Sequence, residues 1–382
     1  MTNFLQEDQA RMVRKFFQLL RLAIGSSSEV PQVAKDEWPA IYALALKQTL
    51  LGIAFDGMRK MGASAEVDPD LLMTWMGKCK LIERRNYKHL AAVVKAVGWF
   101  SKKGFRSCIL KGVGNALLYP NPMHRVSGDI DVWVEGRPSE VIAFVRSIAP
   151  KEKASYHHIE FPKLDDIPVE VHYRPCYLQS PWHNHRLQGF FATMAQEQFA
   201  HEVKVEQGAF ATPTASFNAI YQLVHIYNHL FQEGIGLRQL LDYYFIMLNV
   251  ECGPTQPSTF NIQLTLRRLG LWKFAGAVMY ALHEVFALTE DKMIAPMDEQ
   301  RGRLLLEEVL RGGNFGQHNE RHHHSQGAVC HNILRLQRDF RLLRYYPEEA
   351  LAEPFFRLWH FVWRRRHAET LIRTITLASA RA

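Results

Sequence analysis

Two acids, Asp129 and Asp131, have the clearest chemical potential in this chain, and they stand in the β-rich run 129–134. Side chains alternate between the faces of a strand, so these two share one face while Ile130 and Val132 take the other. Their Cα atoms would be roughly 6–7 Å apart, and two carboxylates so placed repel each other unless a cation lies between them. Hard divalent ions such as Mg²⁺ bind carboxylate oxygens together with substrate phosphates. The pattern predicts a metal site, although an Asp-x-Asp pair also occurs on ordinary exposed strands.

A third acid, Glu170, stands in the alternating run 169–173. Val169 and Val171 point one way in such a strand, and Glu170 then shares the other face with His172 and Arg174. This polar face makes Glu170 a candidate third acid beside Asp129 and Asp131, with a solvated strand position as the alternative. His172 and Arg174 are candidates for the acceptor site, or else a surface pair.

The segment before the acids contains residues suited to phosphate. Lys111, Gly112 and Gly114 occupy a strand-to-helix turn, where backbone N–H groups and a helix N-terminus favour anions. Arg125 and Ser127 follow and are candidates for contacting a triphosphate, with an ordinary surface loop as the alternative. Together these five residues are the predicted nucleotide-binding set.

The elements that must position these residues change in period near residue 104. Residues before it show helical apolar stripes, and helices resume near Ser216, a candidate N-cap. Between them the sequence predicts strands at 106–110 and 129–135, a hairpin of strands 156–161 and 169–173 whose loop is 162–168, and two short strands at 203–205 and 209–211. It also predicts a short helix at 113–118, a helix that starts at Pro138 and runs over 138–148, and a small helix at 190–199.

Several of these residues together resemble the DNA polymerase beta-like nucleotidyltransferase superfamily. The stretch is most similar to a bacterial family of uncharacterised nucleotidyltransferases, which combines Leu-Lys-Gly, Tyr-Pro, an Arg and Asp-Ile-Asp. Here these are Leu110-Lys111-Gly112, Tyr119-Pro120, Arg125 and Asp129-Ile130-Asp131. The resemblance covers about 105–174 and implies Mg²⁺ or Mn²⁺ as cofactor, with the third acid on a later antiparallel strand, where Glu170 fits. It also implies a helix near the active cleft carrying Arg238 and Asp242 as further acceptor-site candidates.

We therefore expect an α/β (α+β) fold, with a nucleotidyltransferase-like mixed sheet flanked by N-terminal and C-terminal helical regions. The expected boundaries are 1–100 for the first helical region, 101–180 for the core, 181–215 for a connector and 216–382 for the second helical region.

The expected reaction moves a nucleoside monophosphate from an NTP to an acceptor hydroxyl on a small molecule, an RNA or a protein. The alternative is a non-catalytic scaffold of the same fold that binds RNA or a protein partner.

The composition limits the class of protein, the cellular compartment and the kind of partner that we expect. No window of the 382 residues approaches 18 uninterrupted apolar positions, so no transmembrane segment is expected. The N-terminus lacks a signal-peptide layout, and five scattered cysteines without a CxxC suit reduced thiols in the cytoplasm. The net charge of +8 favours anionic partners.

Three further stretches carry weaker signals. Residues 332–382 hold ten arginines against five acids. We expect a terminal helix that packs its aromatics and solvates its arginines, which would add weak polyanion binding; the alternative is a binding region for nucleic acid or an anionic membrane surface. His225 and His229 share a helix face. We expect them to be partly buried residues at a domain contact, with zinc ligands as the alternative. The histidines of 318–331 lack regular ligand spacing and predict a mobile polar loop.

Overall fold

A computed structural model describes residues 7–62, 66–250, 261–313 and 328–379 of the chain. The chain divides into two compact units. The helical unit comprises Met1–Leu90, Val113–Ser127 and Thr214–Asn332, and the sheet unit comprises Ala91–Gly112, Gly128–Pro213 and Ile333–Ala382. The histidines of 318–324 lie outside the described residues, so the polar loop predicted there stays a prediction. At its end the prediction is wrong, because His331 lies in a helix that begins at Ala328.

The helical unit is built from helices with buried apolar faces. They are α1 (Glu7–Ile24), α2 (Trp38–Lys47), α3 (Leu51–Met61), α5 (Val113–Ala116), α8 (Ala215–Gln232), α9 (Leu237–Asn249), α10 (Ile262–Arg268), α11 (Trp272–Phe286) and α12 (Glu299–Gly312). The long helix α4 (Pro69–Lys102) and helix α13 (Ala328–Leu343) contribute residues to both units. Within the described residues, no helix combines the length and apolar character needed to cross a bilayer.

The sheet unit contains one mixed sheet of six strands in the order β3-β4-β2-β1-β6-β5. The strands are β1 (Ser107–Ile109), β2 (Ile130–Val134), β3 (His158–Leu164), β4 (Ile167–His172), β5 (Glu202–Val205) and β6 (Gly208–Ala211), accompanied by α6 (Pro138–Ile148), α7 (Pro181–Ala200) and α14 (Pro347–Ser379). β2 pairs antiparallel with β1 and parallel with β4, and β3 pairs antiparallel with β4. The predicted mixed α/β class, with helices flanking a sheet, is confirmed.

The two faces of the sheet differ in chemistry. On one face Val171 pairs with Ile159 and Val132, and Phe161 packs against Trp99 and Phe100 at ring distances of 5.4 and 5.7 Å. That apolar face fixes the register, because a slip of one residue would expose the apolar side chains. The opposite face is therefore free to carry polar groups.

The predicted loop at 162–168 is wrong. β3 continues to Leu164 and β4 starts at Ile167, so only Asp165 and Asp166 form the turn. Both have positive φ, 50° and 68°, as a two-residue type I′ hairpin requires, and short polar Asp side chains tolerate this region. The two prolines nearby had suggested a loop, and sheet pairing overrides that signal.

Helix starts differ from two further expectations. Ser216 is not the N-cap: Thr214 holds that position in extended conformation and α8 begins at Ala215. α7 begins at Pro181 instead of residue 190, because proline fits the first turn, where its missing N–H is not needed.

The C-terminal helix corrects the expectation of buried aromatics. On α14, Phe355 is 75% exposed, Trp359 46% and Phe361 45%. Phe356 does pack, stacking on Tyr177 at 4.8 Å. Trp359 also contacts the Tyr156 ring, at 5.5 Å, so the helix is anchored along part of its surface while Phe355 and Phe361 face solvent.

Candidate active site

The polar face of the sheet brings together titratable residues from three adjacent strands. Asp131 of β2 pairs with Glu170 of β4, and β3 places Glu160 beside Glu170 and His158 beside His172. Paired residues on neighbouring strands have side chains on the same face. One continuous polar patch results, and we call these five residues the acid–histidine cluster.

β4 runs parallel to β2 and antiparallel to β3. The register sets Glu170 directly beside Asp131, so these two carboxylates meet within the sheet unit. The convergence of three acids, with Asp129 as the third, stays a prediction.

His172 lies between these two carboxylates. Its Nε2 is 3.0 Å from Asp131 Oδ1 and 3.4 Å from Glu170 Oε2, and its Nδ1 is 3.2 Å from the Pro175 carbonyl. A carbonyl only accepts, so Nδ1 carries a proton, and the carboxylates favour a second proton on Nε2. Burial alone would lower the pKa of His172, but hydrogen bonds to Asp131 and Glu170 outweigh it and raise the pKa to about 9.

Lys111 is the second cation at this position. It lies two residues after the end of β1, and Gly112 after it has φ of +65°, a conformation that favours glycine. Lys111 Nζ lies 3.3 Å from Asp131 Oδ2, which is fully buried. Burial opposes the charge of Lys111, but the carboxylates of Asp131, Asp129 and Glu170 raise its pKa above the usual value. Burial likewise opposes the charge of Asp131, and Lys111 and His172 together hold its pKa below the usual range.

Two histidines of this site were not identified from the sequence: His158, a member of the cluster, and His157, which lies beside it. His157 Nε2 is 3.1 Å from His158 Nδ1, and the same Nδ1 is 3.3 Å from Glu170 Oε2. Burial lowers the pKa of His157 well below its ordinary value and that of His158 to about 4, so both are neutral near pH 7. The available signal was the run His157-His158 ahead of a strand whose partner ends in His172.

Among the described residues, three groups of donor atoms lie within 4.8 Å of one another: Asp131, Glu170 and His172; His157, His158 and His172; and His158, Glu160 and Glu170. This donor chemistry fits a divalent cation. Asp129 belongs to none of these groups. It is half-buried just before β2 and acts on the site through its charge, which helps raise the pKa of Lys111. The assignment of Asp129 as a metal ligand stays a prediction.

A second polar cluster lies in the helical unit and contains three predicted site residues. Arg125 forms a bidentate ion pair with Asp242, with Nε 2.7 Å from Oδ1 and Nη2 2.6 Å from Oδ2. Tyr119 donates its hydroxyl to Asp242 Oδ1 at 2.7 Å, and Arg238 Nη1 donates to the Val126 carbonyl at 2.9 Å. Burial opposes the charge of Asp242, but Arg125 keeps its pKa low. The phosphate role of Arg125 and the acceptor roles of Arg238 and Asp242 stay predictions.

The remaining predicted residues have these positions. Gly114 lies in α5, a helix of four residues where six were expected, and is buried, as is Ser127. Arg174 follows β4 in the sheet unit, donates to the Tyr156 carbonyl at 2.8 Å and lies over the Tyr156 ring at 4.6 Å. His225 and His229 are half-buried in α8 with their Nε2 atoms 3.0 Å apart.

Comparison with known proteins bears on the family. A family model described as uncharacterised nucleotidyltransferase matches residues 34–287, more than half of the chain. One solved structure with some likeness is an antigenic nucleotidyltransferase-like protein from Paracoccidioides brasiliensis, at 10% identity and a TM-score of 0.31, covering 56% of this chain and 96% of that chain. A likeness this weak does not define the fold. No curated protein matches the chain.

The resemblance seen in the sequence is thus confirmed for the family, while the wider superfamily and a bacterial origin stay predictions. The chain belongs to the family of uncharacterised nucleotidyltransferases.

Proposed function

We propose that this protein transfers a nucleoside monophosphate from a nucleoside triphosphate to an acceptor hydroxyl, with Mg²⁺ or Mn²⁺ as cofactor. The observation that supports the proposal is the pairing of Asp131 with Glu170 on adjacent strands, with Lys111 at the same carboxylate. Asp129, Asp131 and Glu170 are the residues that would hold the cation. When bound, it would neutralise phosphate charge and favour deprotonation of the acceptor.

The reaction forms a bond between the acceptor oxygen and the α-phosphorus and breaks the bond to the β-phosphate, releasing pyrophosphate. The acceptor hydroxyl loses one proton. Glu170 is our candidate to receive it, because its side chain is 25% exposed and so reachable, whereas that of Asp131 is fully buried. A positioned base of this kind typically contributes about 10²–10⁴-fold.

Lys111 contributes a permanent positive charge on the acidic face. A triphosphate approaching carboxylates alone would be repelled, and a buried cation beside them reduces that repulsion. The ammonium group is held by Asp131, so its position does not need to be established when substrate binds.

A test is to incubate the purified protein with each α-labelled NTP and Mg²⁺ or Mn²⁺, against separate pools of RNA, protein and small metabolites. We expect label on one pool with wild type and its loss with Asp131→Asn. Asp165→Asn, in the exposed turn of the β3–β4 hairpin, is the matched Asp-to-Asn control and should retain transfer. Equal labelling by wild type and Asp131→Asn would contradict the proposal.

A non-catalytic scaffold that binds RNA or a protein partner is the second candidate. The observation that favours it is the internal neutralisation of Asp131, whose two oxygens already face Lys111 and His172. If it is correct, the protein binds no NTP in the presence of a divalent metal, whereas the enzyme must. Calorimetry with a nonhydrolysable NTP separates the two.

A further inference from the structure

The acid–histidine cluster and the adjacent His157 together supply three imidazole side chains, whereas a magnesium site built from carboxylates uses no nitrogen ligand. Three imidazoles, from His157, His158 and His172, bring ring nitrogens to within 4.8 Å of one another. Mg²⁺ takes oxygen ligands and retains water, whereas imidazole nitrogen suits zinc, cobalt, nickel, copper and iron. The donor set is thus better matched to a transition metal.

The distances within the group are close to those of a metal shell. Ligands bound to zinc at about 2.0–2.2 Å in a tetrahedral array lie roughly 3.4 Å from one another. His157 Nε2 and His158 Nδ1 are 3.1 Å apart. Glu170 Oε2 is 3.3 Å from His158 Nδ1 and 3.4 Å from His172 Nε2. Three pairs of donor atoms, which together involve all four residues, are thus spaced as ligands of one ion are.

Strand pairing holds these donors in place. His158 and His172 are direct partners across β3 and β4, and Glu170 is two residues from His172 on the same face. His157 precedes β3 directly, and Ser155 Oγ lies 3.4 Å from its Nδ1. A contact at the second ring nitrogen is the usual way in which a protein orients a ligating imidazole.

We propose that His157, His158, His172 and Glu170 form a binding site for a transition-metal ion of the Zn²⁺ or Co²⁺ type. The ion replaces the proton on Nε2 of His172. Asp131 then keeps Lys111 as its partner. This inference goes beyond the proposed function: it assigns a transition-metal ion to the three histidines and Glu170, distinct from the Mg²⁺ or Mn²⁺ assigned above to Asp129, Asp131 and Glu170. Its binding can be measured with no nucleotide and no acceptor.

The experiment uses the full-length protein, stripped with a chelator and titrated separately with Zn²⁺, Co²⁺ and Mg²⁺ by calorimetry. We expect one high-affinity Zn²⁺ or Co²⁺ per chain and much weaker Mg²⁺ binding. His158→Gln should lower the Zn²⁺ affinity by more than about 100-fold, since loss of an outer-shell partner alone costs 10–100-fold. His183→Gln, which removes a histidine of α7 outside the group, is the matched control and should leave the affinity unchanged.

Two other sets of histidines in the chain need their own variants. His225→Gln/His229→Gln removes the close pair in α8, and His318→Gln/His322→Gln/His323→Gln/His324→Gln removes the histidine-rich run. Both should bind Zn²⁺ as wild type does. If either variant abolishes the high-affinity binding while His158→Gln keeps it, the proposal is overturned.

Spectroscopy on the wild-type protein covers the case in which a His158 variant does not fold. Bound Cu²⁺ should show coupling to imidazole nitrogens in electron paramagnetic resonance, and bound Co²⁺ should show visible absorption typical of a four- or five-coordinate ion. An oxygen-only signal, or Mg²⁺ binding as tightly as Zn²⁺, would overturn the proposal.

The two proposals fail in different ways. If nucleotidyl transfer proceeds with Mg²⁺ but the stripped protein binds neither Zn²⁺ nor Co²⁺ with high affinity, the proposed function stands and the metal inference falls. If Co²⁺ binds with nitrogen ligands but no pool is ever labelled and no NTP binds, the metal site stands and the proposed function falls.

Discussion

Replacing Asp242 by Asn should destabilise the protein by about 3–5 kcal/mol, the usual result of removing one partner from a buried ion pair. Arg125 and Asp242 have side chains only 5% and 6% exposed. Their bidentate contacts of 2.6 and 2.7 Å leave little room for water to replace the lost charge. Asn keeps the shape and one acceptor oxygen, but its NH2 group would face an N–H of Arg125, so the change removes the charge and one hydrogen bond together.

The size of the effect follows from the geometry. For charge centres about 4 Å apart, an effective dielectric constant of 20 gives an attraction of about 4 kcal/mol. Tyr119 still finds an acceptor in Asn, so its hydrogen bond need not be lost. The double variant Arg125→Met/Asp242→Leu removes both charges. Its loss of stability should be smaller than the summed losses of Arg125→Met and Asp242→Leu measured separately, because no charge is left buried and unpaired.

Urea unfolding near neutral pH, followed by both fluorescence and circular dichroism, measures the free energy of unfolding. Two probes are needed because a chain with two units need not unfold in one step. Burial raises the pKa of Asp242, but the ion pair with Arg125 lowers it by more, so the pKa lies below its usual value. Since this folded pKa is below the unfolded value, the stabilisation is present above about pH 4 and is lost as the pH falls through the folded pKa. A loss under 1 kcal/mol near pH 7, or a double variant as unstable as the sum of the singles, would refute this reasoning.

Three further outcomes are expected. Glu170→Gln should leave binding of a nonhydrolysable NTP largely intact while turnover falls by about 10²–10⁴-fold, and equal turnover would exclude Glu170 as the base. Burial raises the pKa of Glu349 to about 7; this exceeds the unfolded value, so stability should fall by about 3 kcal/mol between about pH 4.5 and 7. In thermal melts across that range, Glu349→Gln should flatten the slope, and an unchanged slope would assign it to another group. Truncation before Asn332 should lower the melting temperature, since Phe356 packs on Tyr177; a truncated chain that melts like the full one and loses only polyanion binding would show that the region is a binding element.

The sequence predicted what depends on local pattern. Alternation in 129–134 and 169–173 indicated strands with acids on one face, and β2 and β4 carry Asp131 and Glu170 as expected. It also predicted the mixed α/β class and, by resemblance, the family. These features depend on side-chain periodicity and short motifs, which neighbouring residues encode directly.

Only the tertiary structure decided which residues meet. Strand order places β2 beside β4 in parallel. This arrangement brings His172 and Lys111 to the two oxygens of Asp131. The hairpin register that sets His158 beside His172 is likewise fixed by the buried apolar face. The commitment of Arg125 to Asp242, 117 residues away, has no local signal at all. Partners of this kind are selected by packing and by the cost of leaving a buried charge unpaired, and both act across the fold instead of along the chain.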